Sequence, residues 1–201
     1  MKTQPMLICI PDISGFTAFM SETDIELSSV VIPSLLNKII YANNIGLKVS
    51  EIEGDAVLFY KSGDLPSFKE LVDQCKKFYD TFYDQIFKLK KKYDDHEDAT
   101  KIPETLGLKI ILHYGDSIGS AQIGKNIKLM GEDVIVAHRL LKNNIQSDEY
   151  LLFSKSLMDN YRKDVIERNF GWGLLQDGDE TYKHLGGINY SYIHLRPSIT
   201  F

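Results

Sequence analysis

Leu7-Ile8-Cys9-Ile10-Pro11-Asp12-Ile13-Ser14-Gly15-Phe16-Thr17 is the stretch on which the fold turns. Its four consecutive apolar residues, bounded by Pro and Gly, predict a buried strand. Asp12 falls at the carboxyl end of that strand, where sheet proteins place ligands. A local reading stands beside this one: an Asp side chain can bond the backbone two residues on and shape the turn. The stretch alone leaves both open. Gly15 then opens a helical pattern with Phe16, Phe19 and Met20 on one face.

A second acid bears on the choice. Asp55 lies within Leu47-Lys48-Val49-Ser50-Glu51-Ile52-Glu53-Gly54-Asp55-Ala56-Val57-Leu58-Phe59-Tyr60. Two runs of strand character flank Glu53-Gly54-Asp55, although the alternation of the first run is imperfect. Gly-Asp between such runs signals a two-residue hairpin, because Gly accepts positive φ without a Cβ clash. A hairpin tip beside the end of a buried strand can bring two carboxylates to one site. Such carboxylates repel unless a cation or a shared proton holds them. Mg²⁺ favours one or two carboxylates plus substrate phosphates.

The totals narrow the class. A chain of 201 residues suits one domain over 1–201 with a sizeable core. A hydrophobic share of 43% argues against disorder. The net charge of −5 argues against a general nucleic-acid binder, which needs clustered cations. Cys9 and Cys75, isolated in apolar patterns, read as reduced core thiols of a cytoplasmic protein. No apolar run is long enough for a membrane span, and the N-terminus lacks the shape of a signal peptide.

Along the chain, Val30 to Ile40 continues an apolar helical pattern in which Pro33 marks the first turn of a second helix. Ser67 and Glu70 form a capping box ahead of an amphipathic helix over 67–93, whose aromatic stripe reads as core. The mixed-charge run beyond it reads as a solvated loop. Leu108 to Tyr114 is a strand, turned at Gly115-Asp116, with a return strand over 117–123 closing on Gly124-Lys125-Asn126. His113, without a partner His at ligand spacing, reads as a core or hydrogen-bonded histidine. Gly131 precedes a helix to Leu141. Tyr150 to Phe153 is a short strand, and Ser154 caps a helix reaching Tyr161. The tail carries turns at Gly171, Asp177-Gly178-Asp179 and Gly186-Gly187, with an antiparallel hairpin at its end. Trp172 reads as a packing residue.

Asp-Ile-Ser-Gly-Phe-Thr (12–17), followed by Glu-Ile-Glu-Gly-Asp (51–55), resembles the class III adenylate/guanylate cyclase catalytic domain. Leu108 to Gly115 and Gly124 to Leu141 resemble the later strands and final motif helix of that family. His113-Tyr114-Gly115 and His138-Arg139-Leu140-Leu141-Lys142-Asn143 are similar to an uncharacterised bacterial family related to these cyclases. The resemblance implies an α+β fold: a ferredoxin-like βαββαβ core with a C-terminal β extension. It also implies a head-to-tail homodimer, with the metal acids from one subunit and Arg139 from the other.

By the same resemblance, Asp12 and Asp55 hold two Mg²⁺ or Mn²⁺ ions, and Ile13 offers a backbone carbonyl to one. Gly15, Phe16 and Thr17 lie beside the phosphates of a nucleoside triphosphate. Glu51 and Lys128 take the base-reading positions. Glu51 leans towards guanine, while Lys128 either meets the guanine O6 or pairs with Glu51 and closes the pocket. The family's Asn and Arg pair on the late helix becomes Ile135 and Arg139, so Arg139 can neutralise phosphate but Ile135 offers the ribose no hydrogen bond. The family's late Lys falls at about Gly186; Lys183 is near in sequence and otherwise reads as a solvated side chain. Two functional readings remain open: a divergent cyclase with weak or no cyclisation, or a non-catalytic nucleotide-binding or dimerisation module.

Overall fold

The computed structural model describes residues 3–124 and 126–195. Strand β1 (Thr3–Ser14) runs through the interior of an eight-stranded sheet and is longer than its apolar centre predicts. Leu7, Cys9 and Ile13 enter one hydrophobic core, and Met6, Ile8 and Ile10 enter another. Successive side chains of a strand point to opposite faces. An unbroken apolar run is therefore what a strand covered on both faces requires.

After β1 come α1 (Phe16–Glu22), α2 (Ile25–Tyr41), the hairpin β2 (Lys48–Glu53) and β3 (Ala56–Ser62), α3 (Phe68–Lys92), a short α4 (Lys101–Thr105) and β4 (Gly107–Ile123). β1 pairs antiparallel with β3 and β4, giving the order β2-β3-β1-β4. This is the expected βαββαβ core. β5 (Asn126–Met130) folds back on the far end of β4, and α5 (Glu132–Leu140) follows. β6 (Tyr150–Ser154) joins parallel to β4. Beyond α6 (Lys155–Met158) and α7 (Lys163–Arg168), the hairpin β7 (Gln176–Tyr182) and β8 (Gly186–His194) completes the extension.

Helices cover both faces. α2 and α3 contribute Val31, Leu35, Ile39, Phe78 and Phe82 to one core, while α5 contributes Val134, Ala137 and Leu140 to the other. Each fully buried aliphatic or Phe side chain stabilises by about 1.5–3 kcal/mol. The capping box forms as expected: Ser67 accepts from the Glu70 N–H, and Glu70 returns a bond to the Ser67 backbone. Cys9 and Cys75 are free and buried. No described helix is long and apolar enough to cross a membrane.

Several local expectations are corrected. Asp24, not Pro33, starts α2: its carboxylate accepts from the Leu27 N–H at 2.8 Å, and Pro33 lies inside the helix. Pro103 lies within α4, in the segment read as loop. The helix capped by Ser154 stops at Met158. β4 does not turn at Gly115-Asp116 but continues to Ile123. Gly115 is small because a Cβ there would come within 2.4 Å of the Asp133 side chain. Gly178 likewise sits inside β7, where a Cβ would meet the Tyr190 ring at 2.5 Å. Of the residues expected to close the β4 return, Lys125 lies outside the described residues. Trp172 packs on Phe170 and under the Lys76 ammonium.

Candidate functional site

Register brings the two acids together. On β1, Asp12 lies opposite Lys109 of β4 on one side and Ala56 of β3 on the other. Asp55, the residue before Ala56, is thereby carried to the end of β1. The Ile13 N–H donates to the Asp55 carbonyl at 3.0 Å, tying the hairpin tip to that strand. The Gly54 φ of 60° makes the tight turn. Asp12 shares the face of Ile8 and Ile10, so it points towards α5, and it remains within the pairing ladder two residues before the strand ends.

Asp12 and Asp55 line one cavity of about 420 Å³ with Glu53, Lys109, His138 and Lys142. The Lys109 Nζ sits 3.3 Å from the Asp12 Oδ1, and both side chains are largely buried. Burial raises the Asp12 carboxyl above its usual range; Lys109 opposes this, and the neighbouring Asp55 charge adds to it. Burial also raises the Asp55 carboxyl, against its own backbone hydrogen bond and Lys109. The cleft therefore disfavours two free carboxylates, despite the lysine beside them.

A second cavity, of about 690 Å³, is lined by Glu51 and Lys128, the positions that the resemblance assigns to base reading, and shares Glu53, His138 and Lys142 with the first. The Lys128 Nζ donates to the Glu51 Oε2 at 2.7 Å. This is the pairing outcome left open by the sequence, but the pair forms one wall of the cavity rather than filling it. Arg139 and Ile135 line the same space, and Ile135 is exposed. Arg139 does not line the Asp12–Asp55 cavity of its own chain.

Gly15, Phe16 and Thr17 lie where β1 gives way to α1, and neither cavity is lined by them. Gly15 is required there: its φ is +77°, and a Cβ would fall 1.9 Å from the Thr105 carbonyl oxygen. The Ile13 side chain is buried in the core on the opposite face from Asp12. Lys183 is exposed at the β7–β8 turn. His113 is buried and hydrogen-bonded, with Nε2 3.3 Å from the Asp133 Oδ1 and Nδ1 3.3 Å from the Ser156 Oγ. That contact holds the Asp133 carboxyl below its usual range.

Sequence reasoning missed Lys109, Glu53, His138 and Lys142. Lys109 had a signal, a single charge inside the apolar run Leu108-Lys109-Ile110-Ile111. His138 lies three residues after Ile135 on α5, and Lys142 follows just past the end of that helix. Which wall they meet is a tertiary fact.

The architecture is that of adenylyl and guanylyl cyclase catalytic domains. The chain is similar to the guanylate cyclase domain of RhGC from Catenaria anguillulae, with a TM-score of 0.63 and 18% identity over 96% of this chain and 97% of that one. It is similar to the guanylyl cyclase Cya2, with a TM-score of 0.65 and 14% identity over 98% and 96%. It is also similar to the adenylyl cyclase CyaB from P. aeruginosa, with a TM-score of 0.64 and 15% identity over the full length of both chains. At these identities the likeness is one of fold. Residues 32–150 match the sequence profile of the family described as "Protein of unknown function (DUF2652)", and the chain belongs to that family. A relative in Mycobacterium tuberculosis, named Uncharacterized protein Rv2561/Rv2562, is 29% identical over 153 residues, covering 76% of this chain and 68% of the relative.

Proposed function

We propose that this protein is a divergent member of the cyclase fold that holds a divalent cation between Asp12 and Asp55, with a nucleoside triphosphate beside it. Cyclisation is weak or absent. One observation carries this reading: two carboxylates from separate elements converge on one cavity, and burial raises both. A cation there relieves the cost of that burial. Mg²⁺ or Mn²⁺ suits an oxygen donor set that leaves positions for phosphate. Lys109 supplies one positive charge to the pair, so the residues fit one ion more readily than the two that a full cyclase clamp uses. When bound, the ion supplies charge neutralisation and Lewis acidity; Lys109 and Lys142 add positive charge along the wall that phosphates would face.

A second copy of the chain fits the same reading. Arg139 does not line the cavity of the acid pair in its own chain, which fits a phosphate role across to a neighbouring copy. Ile52, Ile123, Ile127, Met130 and Ile135 are exposed around the cavity mouths. Exposed apolar side chains grouped in this way suit a covering partner. A non-catalytic binding module is the competing reading. It is favoured by the apolar Ile135 and by the Glu51–Lys128 pair, which engages both base-reading groups.

Purified protein incubated with Mn²⁺ and each of the four nucleoside triphosphates separates these readings. Triphosphate-dependent stabilisation that disappears in Asp12→Asn supports the site. Cyclic product, also lost in Asp12→Asn, supports the enzyme; stabilisation without product supports the binder. No melting shift with any triphosphate would remove both.

A further inference from the structure

The floor between the two cavities carries a second set of metal donors. Glu51 and Glu53 are two residues apart on β2, and side chains at that spacing share one face of a strand. His138, on α5, stands opposite them. Its Nε2 lies 4.0 Å from the Glu51 Oε1, and its Nδ1 lies 3.8 Å from the Glu53 Oε2. One donor atom from each of the three residues falls within 4.8 Å of the other two. We infer that Glu51, Glu53 and His138 form a binding site for a zinc-class divalent ion, separate from the Asp12–Asp55 pair.

Three features support a site over a chance ion-pair cluster. The donors come from a strand and a helix that meet only in the folded protein, so the arrangement is tertiary. The set mixes an imidazole with two carboxylates. Imidazole suits Zn²⁺ and its neighbours, whereas Mg²⁺ and Ca²⁺ prefer oxygen alone. The two Glu51 oxygens are also divided: Oε2 takes Lys128 at 2.7 Å, and Oε1 faces His138. Only one His138 nitrogen can serve a given ion, so the three donors, one from each residue and within 4.8 Å of one another, must draw together by side-chain rotation to meet bonds of about 2.0–2.2 Å.

Three protein ligands leave a fourth tetrahedral position, as in catalytic rather than structural zinc sites. All three donors line the cavity of about 690 Å³, which Arg139 and Lys142 also line. An anionic ligand, such as a carboxylate or phosphate, is the class that would complete the shell. Lys128 competes for Glu51, so its charge weakens metal binding.

Zn²⁺ alone, titrated calorimetrically into the Asp12→Asn/Asp55→Asn/His96→Ala variant, reads this site without the acid pair and without the Asp24–His96–Asp98 group, which meets the same donor spacing. One equivalent is expected to bind. His138→Ala in that background should weaken binding by at least about 100-fold, since even outer partners of metal ligands contribute 10–100-fold. Lys128→Met should tighten it severalfold. Co²⁺ in place of Zn²⁺ should give visible bands of tetrahedral intensity that His138→Ala abolishes. No saturable Zn²⁺ binding, or equal affinity in His138→Ala, overturns the site. Unchanged or weaker binding in Lys128→Met overturns the role of Glu51. His138 is partly exposed, so its replacement should leave the fold intact, which circular dichroism checks. Failure here leaves the triphosphate reading standing, because that reading is tested in the presence of Asp12 and Asp55.

Discussion

Two lysine–carboxylate pairs stand in adjoining cavities and behave differently. Lys109 meets Asp12 at 3.3 Å between largely buried side chains, whereas Lys128 meets Glu51 at 2.7 Å with the lysine side chain about half exposed. The longer, buried contact carries more consequence. Water screens an exposed pair to little net value, but a buried acid deprived of its cation keeps the cost of desolvation. Asp12 remains raised even beside Lys109, so burial outweighs pairing at that end. The acid end keeps an electrostatic cost that a cation can relieve; at the other end Lys128 already pairs with Glu51.

Breaking the buried pair should give the largest effect. Lys109→Met is expected to destabilise the metal-free protein by roughly 2–3 kcal/mol, below the ~3–5 kcal/mol of a fully enclosed pair. Urea unfolding measures this, and Mn²⁺ should restore more stability to the variant than to the parent. Asp12→Asn should act in the opposite direction. A carboxyl raised by burial is less stable charged than neutral, so the amide should unfold at a higher urea concentration than the parent at pH 7 to 8. Metal-dependent stabilisation should vanish in the same variant.

Glu149 sharpens the comparison, as a half-buried acid held by hydroxyls. Burial pushes it up to about 6, while the Tyr79 hydroxyl and the Leu108 backbone bond it and pull the other way; the Tyr83 hydroxyl also donates to it. Its folded value lies above its ordinary 4.5, so its contribution to stability is complete below about 4.5 and is lost as pH rises through about 6. After allowance for solvent screening the loss is about 1 kcal/mol. Unfolding midpoints across that window should show the slope, and Glu149→Gln should flatten it. The smallest effect is expected at the exposed pair, where Lys128→Met should leave the unfolding midpoint unchanged within error.

The features legible in the sequence were those with local causes. Gly54 supplies the positive φ of the hairpin, Ser67 and Glu70 close a cap within one turn, and the apolar run of β1 follows from burial on both faces. What was not legible depended on distant partners. Gly115 looks like a turn residue, yet it is small to admit Asp133; Gly178 admits Tyr190 in the same way. Pro33 looks like a helix start because Asp24, the residue that caps, is nine positions earlier. At the site, Asp12 and Asp55 carried a motif, but Lys109 enters only through the register of β1 with β4. Glu53 and His138 meet because α5 packs on the face that Asp12 shares.

The central claim is that Asp12 and Asp55 jointly hold a divalent cation under a triphosphate. Electron paramagnetic resonance of Mn²⁺, titrated with a non-hydrolysable triphosphate analogue, tests it most directly. The account predicts a triphosphate-dependent loss of the free-ion signal in the parent protein, abolished by Asp12→Asn and by Asp55→Asn separately. Equal triphosphate-dependent binding in all three proteins, or none in the parent, would contradict it.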